Sequence, residues 1–395
     1  GCSPVTYGGE GRPQFLIAAT TALQGQFKDH GVQVAQALKL VVARHDWKAG
    51  DYRVGLQVCD ETTAESDLAD PRKCQSNARA FARNRSVLAV VGPHFSSCAA
   101  AMLPILSKAP GGGLALVSGS ATYLGLTRGG PGVGTGEPGV YYGGGARNFV
   151  RIVPADDVQA AAAASYLRDH GAKRPFALTD KNAYGEGLGD AFAFATKKLG
   201  LAVVGTAHWN PKAKSYRELA ARVARRGPDS VLVAGYVSEN GPQLIKALRA
   251  ALPHARLIGP DGMNQFSTIV EGAGESAEGF VSTIAVLPNK ALPGPGREFA
   301  DDFRRHYSQL PCCFSVHSAQ GAEMVLDAIA NSDGSRSRVK AALLHMRVTD
   351  GLIGKFAIDR FGDTTLTKIG VYSIQDGQSH FEGAISPPAN LLARH

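Results

Sequence analysis

A chain of 395 residues is long enough for two or three domains, and its 44% hydrophobic content supplies a core and excludes wholesale disorder. The formal charge is +8, from 42 basic and 34 acidic residues. Its densest basic clusters (Arg217, Arg222, Arg225 and Arg226; Arg336, Arg338 and Lys340) lack the interleaved aromatics on which single-stranded nucleic acid stacks. They read as solvated helix faces, and no nucleic-acid partner is expected. No apolar run approaches the ~20 residues of a membrane-spanning helix. The 47 glycines are about 12% of the chain against a typical ~7%, which points to many tight turns or one glycine-rich insertion.

After a polar leader, apolar runs alternate with helix-period stretches. Phe15 to Ala19 reads as a strand, Gly31 to Ala43 as a helix and Val54 to Val58 as a strand. A helix follows over Pro71 to Arg83, with Asp70 as N-cap and Pro71 at its favoured first position. Strand Val87 to Val91, helix Ala99 to Leu106 and strand Leu114 to Val117 come next. From Arg128 to Gly145, nine of eighteen residues are glycine and no helix or strand is predicted. Strands then fall at Phe149 to Val153, Phe176 to Thr179, Ala202 to Thr206, Ser230 to Ala234 and Arg256 to Ile258. Helices separate them at Val158 to His170, Gly187 to Leu199, Tyr216 to Arg226 and Pro242 to Ala251. Such alternation calls for parallel sheets covered on both faces, in two α/β lobes broken near residue 150. After strand Phe280 to Leu287 come three successive helices (297–307, 315–331 and 337–346), then strands at 354–358 and 369–373. That order fits a chain that returns to finish the first lobe before ending in the second.

Six cysteines stand at 2, 59, 74, 98, 312 and 313, with no C-x-x-C pair. Cys74 and Cys98 each fall near the start of a predicted helix on successive βα units, where a disulfide would imply an oxidising compartment. His306, Cys312, Cys313 and His317 form a loose group without paired metal-ligand spacing, so no metal site is assigned. Gly1-Cys2-Ser3-Pro4 is similar to the start of a bacterial lipoprotein, in which a small residue precedes the lipid-bearing cysteine; an extraneous leading residue is the alternative. With Cys2 as a lipid anchor, five cysteines remain, enough for two disulfides and one free thiol.

Enzyme motifs are weak. Tyr184-Gly-Glu-Gly-Leu-Gly189 follows a strand, but Asp190 stands where a dinucleotide fingerprint needs its third glycine. There is no phosphate loop, no nucleophile elbow and no H-E-x-x-H, and no cofactor is expected. Polar groups instead gather after strands, where open parallel sheets bind ligands. Ser96 and Ser97 follow the third strand and Ser118, Ser120 and Thr122 the fourth; with helix-start N–H groups they suit a carboxylate. Tyr184, Tyr236 and Asp261 follow strands of the second block, where an acid suits an ammonium group. Each also has a plainer reading, as N-cap, packing or turn residue.

Leu114 to Thr122 (LALVSGSAT), Thr179 to Gly189 (TDKNAYGEGLG), Gly235-Tyr236, Ile258 to Gly262 (IGPDG) and Val90 to Ala99 (VVGPHFSSCA) resemble the periplasmic branched-chain amino-acid binding proteins, from about Phe15 to Ile374. The resemblance implies a type I periplasmic binding protein, two doubly wound parallel-sheet lobes joined by three crossings. It places the leader at 1–13, lobe 1 at 14–151 and 284–355, and lobe 2 at 152–283 and 356–390. It implies a non-enzymatic, extracytoplasmic monomer that captures an amino-acid-like ligand in an interlobe cleft and delivers it to the membrane permease of an ABC transporter. By motif position Ser96, aided by backbone around Ser120, would bind the carboxylate, Thr122 either charged group, and Asp261 the ammonium. Tyr184 and Tyr236 would close over the ligand and Phe27 would line the opening. Departures include Asp261 where Glu is common, Ser120 at an apolar position, and His94 and Phe95 at smaller ones; these leave a polar amino acid, short peptide or amide open. A sensor on the same fold is the alternative function, and a cleft hydrolase or dehydrogenase is disfavoured for want of a nucleophile–base pair or cofactor loop.

Overall fold

The computed structural model describes residues 1–64 and 66–394, and its α/β elements form two units. Unit 1 comprises Gly1–Thr127, Thr135–Val153 and Pro288–Leu366; unit 2 comprises Arg128–Gly134, Pro154–Leu287 and Thr367–His395. Besides a brief excursion at 128–134, the chain passes between units near residues 153, 287 and 366.

In unit 1, β1 (Phe15–Thr21) is followed by α1 (Lys28–Arg44), β2 (Lys48–Ala49) and β3 (Tyr52–Asp60). Next come α2 (Pro71–Arg83), β4 (Val87–Val91), α3 (Ser96–Leu106), β5 (Ala115–Ser118) and β6 (Phe149–Arg151). The sheet order is β2-β3-β1-β4-β5-β6, parallel except for β2. Ile17 of central β1 pairs with Leu56 on one side and Ala89 on the other, and the strand is buried from Leu16 to Thr21. A strand covered on both faces needs this continuous small and apolar run rather than alternation. Three later helices, α9 to α11 below, complete the unit, and Phe299, Phe303, Val316 and Leu343 join its core.

Unit 2 contains α4 (Asp156–Asp169), β7 (Pro175–Thr179), α5 (Ala183–Lys198), β8 (Gly205–His208), α6 (Arg217–Ala224) and β9 (Ser230–Ala234). It continues with α7 (Gly241–Ala251), β10 (Arg256–Gly259), α8 (Phe266–Ala273) and β11 (Val281–Ile284). The chain then builds α9 (Gly294–Tyr307), α10 (Ser315–Ala330) and α11 (Arg336–Leu344) of unit 1. It finishes in unit 2 with β12 (Ile369–Gln375) and β13 (Gln378–Ile385). The sheet order is β8-β7-β9-β10-β11-β12-β13, with β12 and β13 antiparallel at one edge. Helix α4 is buried from Asp156 to Leu167, and its run of five alanines permits close packing on every side.

Three expectations need correction. Arg336 is not on a solvated face: its guanidinium is buried and donates to the carbonyls of Phe81, Ala82, Asn84, Val87 and Pro110. These include orphan carbonyls at the end of α2, which a planar five-donor group satisfies together. The glycine-rich stretch contains a helical turn, Gly139–Tyr142, where Tyr141 and Tyr123 both donate to Glu137. Its earlier part packs on α5, since a Cβ on Gly132 (φ +73°) would lie 2.7 Å from Gly187 Cα. Finally, Cys2 is joined to Cys59, so the sulfur expected to carry a lipid is committed to a disulfide in this structure. A second disulfide joins Cys74 to Cys98, and Cys312 and Cys313 are free thiols.

Candidate functional site

In unit 1 the loops after β4 and β5 are clipped together. Ser118 Oγ donates to Pro93 O (2.9 Å) and accepts the N–H groups of Ser120 (3.2 Å) and Ala121 (2.9 Å). Ser120 Oγ donates to His94 O (2.9 Å), so both its hydroxyl and its N–H serve the clip. Ser96 is the first residue of α3, and its Oγ accepts the Tyr123 N–H (3.1 Å). Accepting that bond leaves the Ser96 hydroxyl proton to donate at a helix N-terminus, an arrangement suited to a carboxylate. Thr122 lies buried in the same turn. Phe27, immediately before α1, packs edge-on against Phe95 (5.2 Å between centroids), and His94 touches both rings. Burial holds the His94 imidazole at about 3, hence neutral at physiological pH.

Two supports in unit 1 were not legible in the sequence. Arg151, at the end of β6, is fully buried. It pairs with Asp363 (2.8 Å) and donates to Tyr123 O (2.7 Å) and Thr127 Oγ1 (2.5 Å), fixing the turn that carries Thr122. Glu61, directly after β3, is also fully buried and accepts the N–H groups of His94 and Phe95 (both 3.0 Å) and the Thr20 hydroxyl (3.3 Å).

Burial outweighs those bonds and pushes the Glu61 carboxyl up to about 8. The folded state therefore binds more protons than the unfolded one between the ordinary carboxyl range and about pH 8. Stability must fall as pH rises through that window. Glu61→Gln keeps a carbonyl acceptor but removes the titration. We expect the variant to match the native protein near pH 5 and to melt a few degrees higher near pH 9, at roughly 2–4 °C per kcal/mol. Parallel melting profiles across that range would remove Glu61 from the pH response.

In unit 2, Tyr184 at the start of α5 stacks on Tyr236 after β9, with centroids 4.8 Å apart and planes 29° apart. The Tyr184 hydroxyl donates to the Asp261 carboxylate and accepts the Gly262 N–H (3.1 Å). Burial raises the Asp261 pKa, opposed by the hydrogen bonds from Tyr184 and Gln159. The Tyr184 phenol is raised by burial and by the neighbouring charges of Asp261 and Asp156. Asp156, buried in the first turn of α4, is thus a second acid beside the pair, unmarked by any motif. Behind them Asp180 accepts the N–H groups of Tyr236 (3.1 Å) and Asn182 (3.0 Å). Gly235 is needed there, because a Cβ would sit 2.4 Å from an Asp180 carboxylate oxygen. The structure thus brings Tyr184, Tyr236 and Asp261 together within unit 2, and Ser96, Ser120, Thr122, Phe27, His94 and Phe95 onto neighbouring loops of unit 1.

Residues 15–378 match the sequence pattern of a family described as periplasmic binding protein. The chain belongs to that family. Among its relatives is the Leu/Ile/Val-binding protein BraC3 of Rhizobium johnstonii, 26% identical over 92% of each chain. The Leu/Ile/Val-binding protein of Escherichia coli K12 is 26% identical over 90% of this chain and 89% of its own. Among solved structures, the leucine-binding protein LivK of Thermotoga maritima superposes with a TM-score of 0.78 at 20% identity, covering 94% of this chain and 99% of that one. A Rhodopseudomonas palustris solute-binding protein in complex with 4-hydroxybenzoate gives 0.76 at 18%, covering 95% and 98%. These structural likenesses establish the type I periplasmic binding protein fold. The family is one of extracytoplasmic solute-binding proteins, and among the described residues no helix is long and apolar enough to cross a membrane.

Proposed function

We propose that this periplasmic binding protein captures a small α-amino acid and hands it, chemically unchanged, to the membrane permease of an ABC transporter. The observation that carries the reading is the sheltered Asp261 carboxylate, oriented by the Tyr184 hydroxyl with the buried acid Asp156 beside the pair. Two acids near one point favour a cationic ligand group, and an ammonium is the smallest that fits an amino-acid carrier. The Ser96 hydroxyl and the start of α3 take the carboxylate, Thr122 assists, and Ser120 holds the loop. Tyr236 stacks behind Tyr184, while Phe27, Phe95 and the neutral His94 offer an apolar wall to the side chain. Relatives named for leucine, isoleucine and valine support the amino-acid class. The two disulfides support an oxidising, extracytoplasmic setting.

The test is calorimetry with branched-chain and polar amino acids, amides, benzoate and 4-hydroxybenzoate, with mass spectrometry of each recovered compound. An amino acid should bind one to one and return unaltered. Binding of benzoates alone would transfer the site to aromatic carboxylates, and a chemically altered compound would make the protein an enzyme.

A further inference from the structure

Outside the residues assigned above, unit 1 gathers a second set of donors that the sequence keeps far apart. His30 on α1 and the adjacent Cys312 and Cys313, in the loop before α10, have donor atoms all within 4.8 Å of one another. The sequence grouping of His306 and His317 with these cysteines does not hold. His306 is an exposed residue of α9, its Nδ1 bonded to Asp302 O (2.9 Å), and His317 on α10 packs against Phe314, the residue before that helix.

Three features make the His30 cluster a built arrangement. Gln33, one turn after His30 on the same face of α1, accepts the Cys312 N–H (2.9 Å) and pins the thiol loop to the helix. Cys313 holds a left-handed backbone conformation (φ +57°), which non-glycine residues rarely adopt. Such an outlier points from structure towards function. The His94 ring lies 6.4 Å from that of His30, and its buried Nδ1 makes no hydrogen bond. All three donors are partly exposed, which leaves an entry path.

We propose that His30, Cys312 and Cys313 bind a single soft, thiophilic metal ion. Two thiols and one imidazole suit three-coordinate Cu(I), and with a fourth donor they suit Zn(II); hard oxygen-seeking cations are excluded by the donor set. Binding releases the thiol protons to solvent as thiolate–metal bonds form.

The experiment uses the full chain, handled anaerobically with its disulfides intact. A thiol count should first find two free thiols. Competition against a chromophoric chelator should then show one equivalent of Cu(I) or Zn(II) bound, and no Mg(II). Outer-ligand changes alone cost roughly 10–100-fold in metal affinity, so Cys312→Ser and Cys313→Ser should each cost at least about 100-fold. His30→Gln should also weaken binding at least tenfold, by roughly the same comparison, while all three variants keep the native melting temperature and amino-acid binding. Absence of free thiols, no binding of either ion, or unchanged affinity in any of the variants would overturn the site.

Discussion

Replacing Asp261 by Asn should weaken binding of the captured amino acid by about 2–3 kcal/mol, roughly 30–150-fold, while leaving the fold intact. Asn keeps the size and one acceptor oxygen but removes the charge that pairs with an ammonium. The surrounding geometry predicts a gradient. Tyr184→Phe keeps the Asp261 charge and loses only the hydroxyl that orients it, so its cost should be nearer tenfold, about 1.4 kcal/mol. A pH series separates charge from shape. The Asp261 pKa is raised by burial, and only the ionised carboxylate pairs with ammonium. Affinity in the native protein should therefore weaken as pH falls through that raised value, whereas Asp261→Asn should be nearly flat. An Asn variant that binds within twofold of the native protein would remove Asp261 from the site.

Removing the Arg151 guanidinium should cost about 3–5 kcal/mol of stability, because buried Asp363 loses the cation it pairs with. Arg151→Met fills much of the volume, so the loss reads the charge and its hydrogen bonds rather than a cavity. The bonds to Tyr123 O and Thr127 Oγ1 are lost together, and the turn bearing Thr122 loses its anchor. Asp363→Asn on the Arg151→Met background should recover part of the loss, since no unpaired charge then remains. Chemical denaturation of the single and double variants measures both effects. A loss below about 1 kcal/mol in Arg151→Met would place this pair with weak, solvent-screened ones.

The contrast between those two residues shows what the sequence exposes. Asp261 stands in a short turn after a strand, so chain order alone brings it to the carboxyl edge of the sheet. Arg151 depends on Asp363, 212 positions away, and nothing local tells a buried arginine from a solvated one. Glu61, Asp156 and His30 escape for the same reason, because their partners come from other elements. The parallel strands are legible as continuous apolar runs bounded by turns, and Ser230–Ala234 and Val87–Val91 are observed at their expected limits. Edge strand β13 is not, since Gln378–Ile385 is largely exposed and carries no apolar alternation. Helix α8 is only eight residues long, too short for its period to stand out.

On the proposed reading, this family member recognises both charged ends of an α-amino acid. The most direct measurement is a matched calorimetric pair: the best-bound amino acid, and the carboxylic acid with the same side chain but no amino group. The amino acid should bind one to one and its partner at least about 30-fold more weakly, matching the loss expected from Asp261→Asn. Equal affinity for the two would contradict that reading.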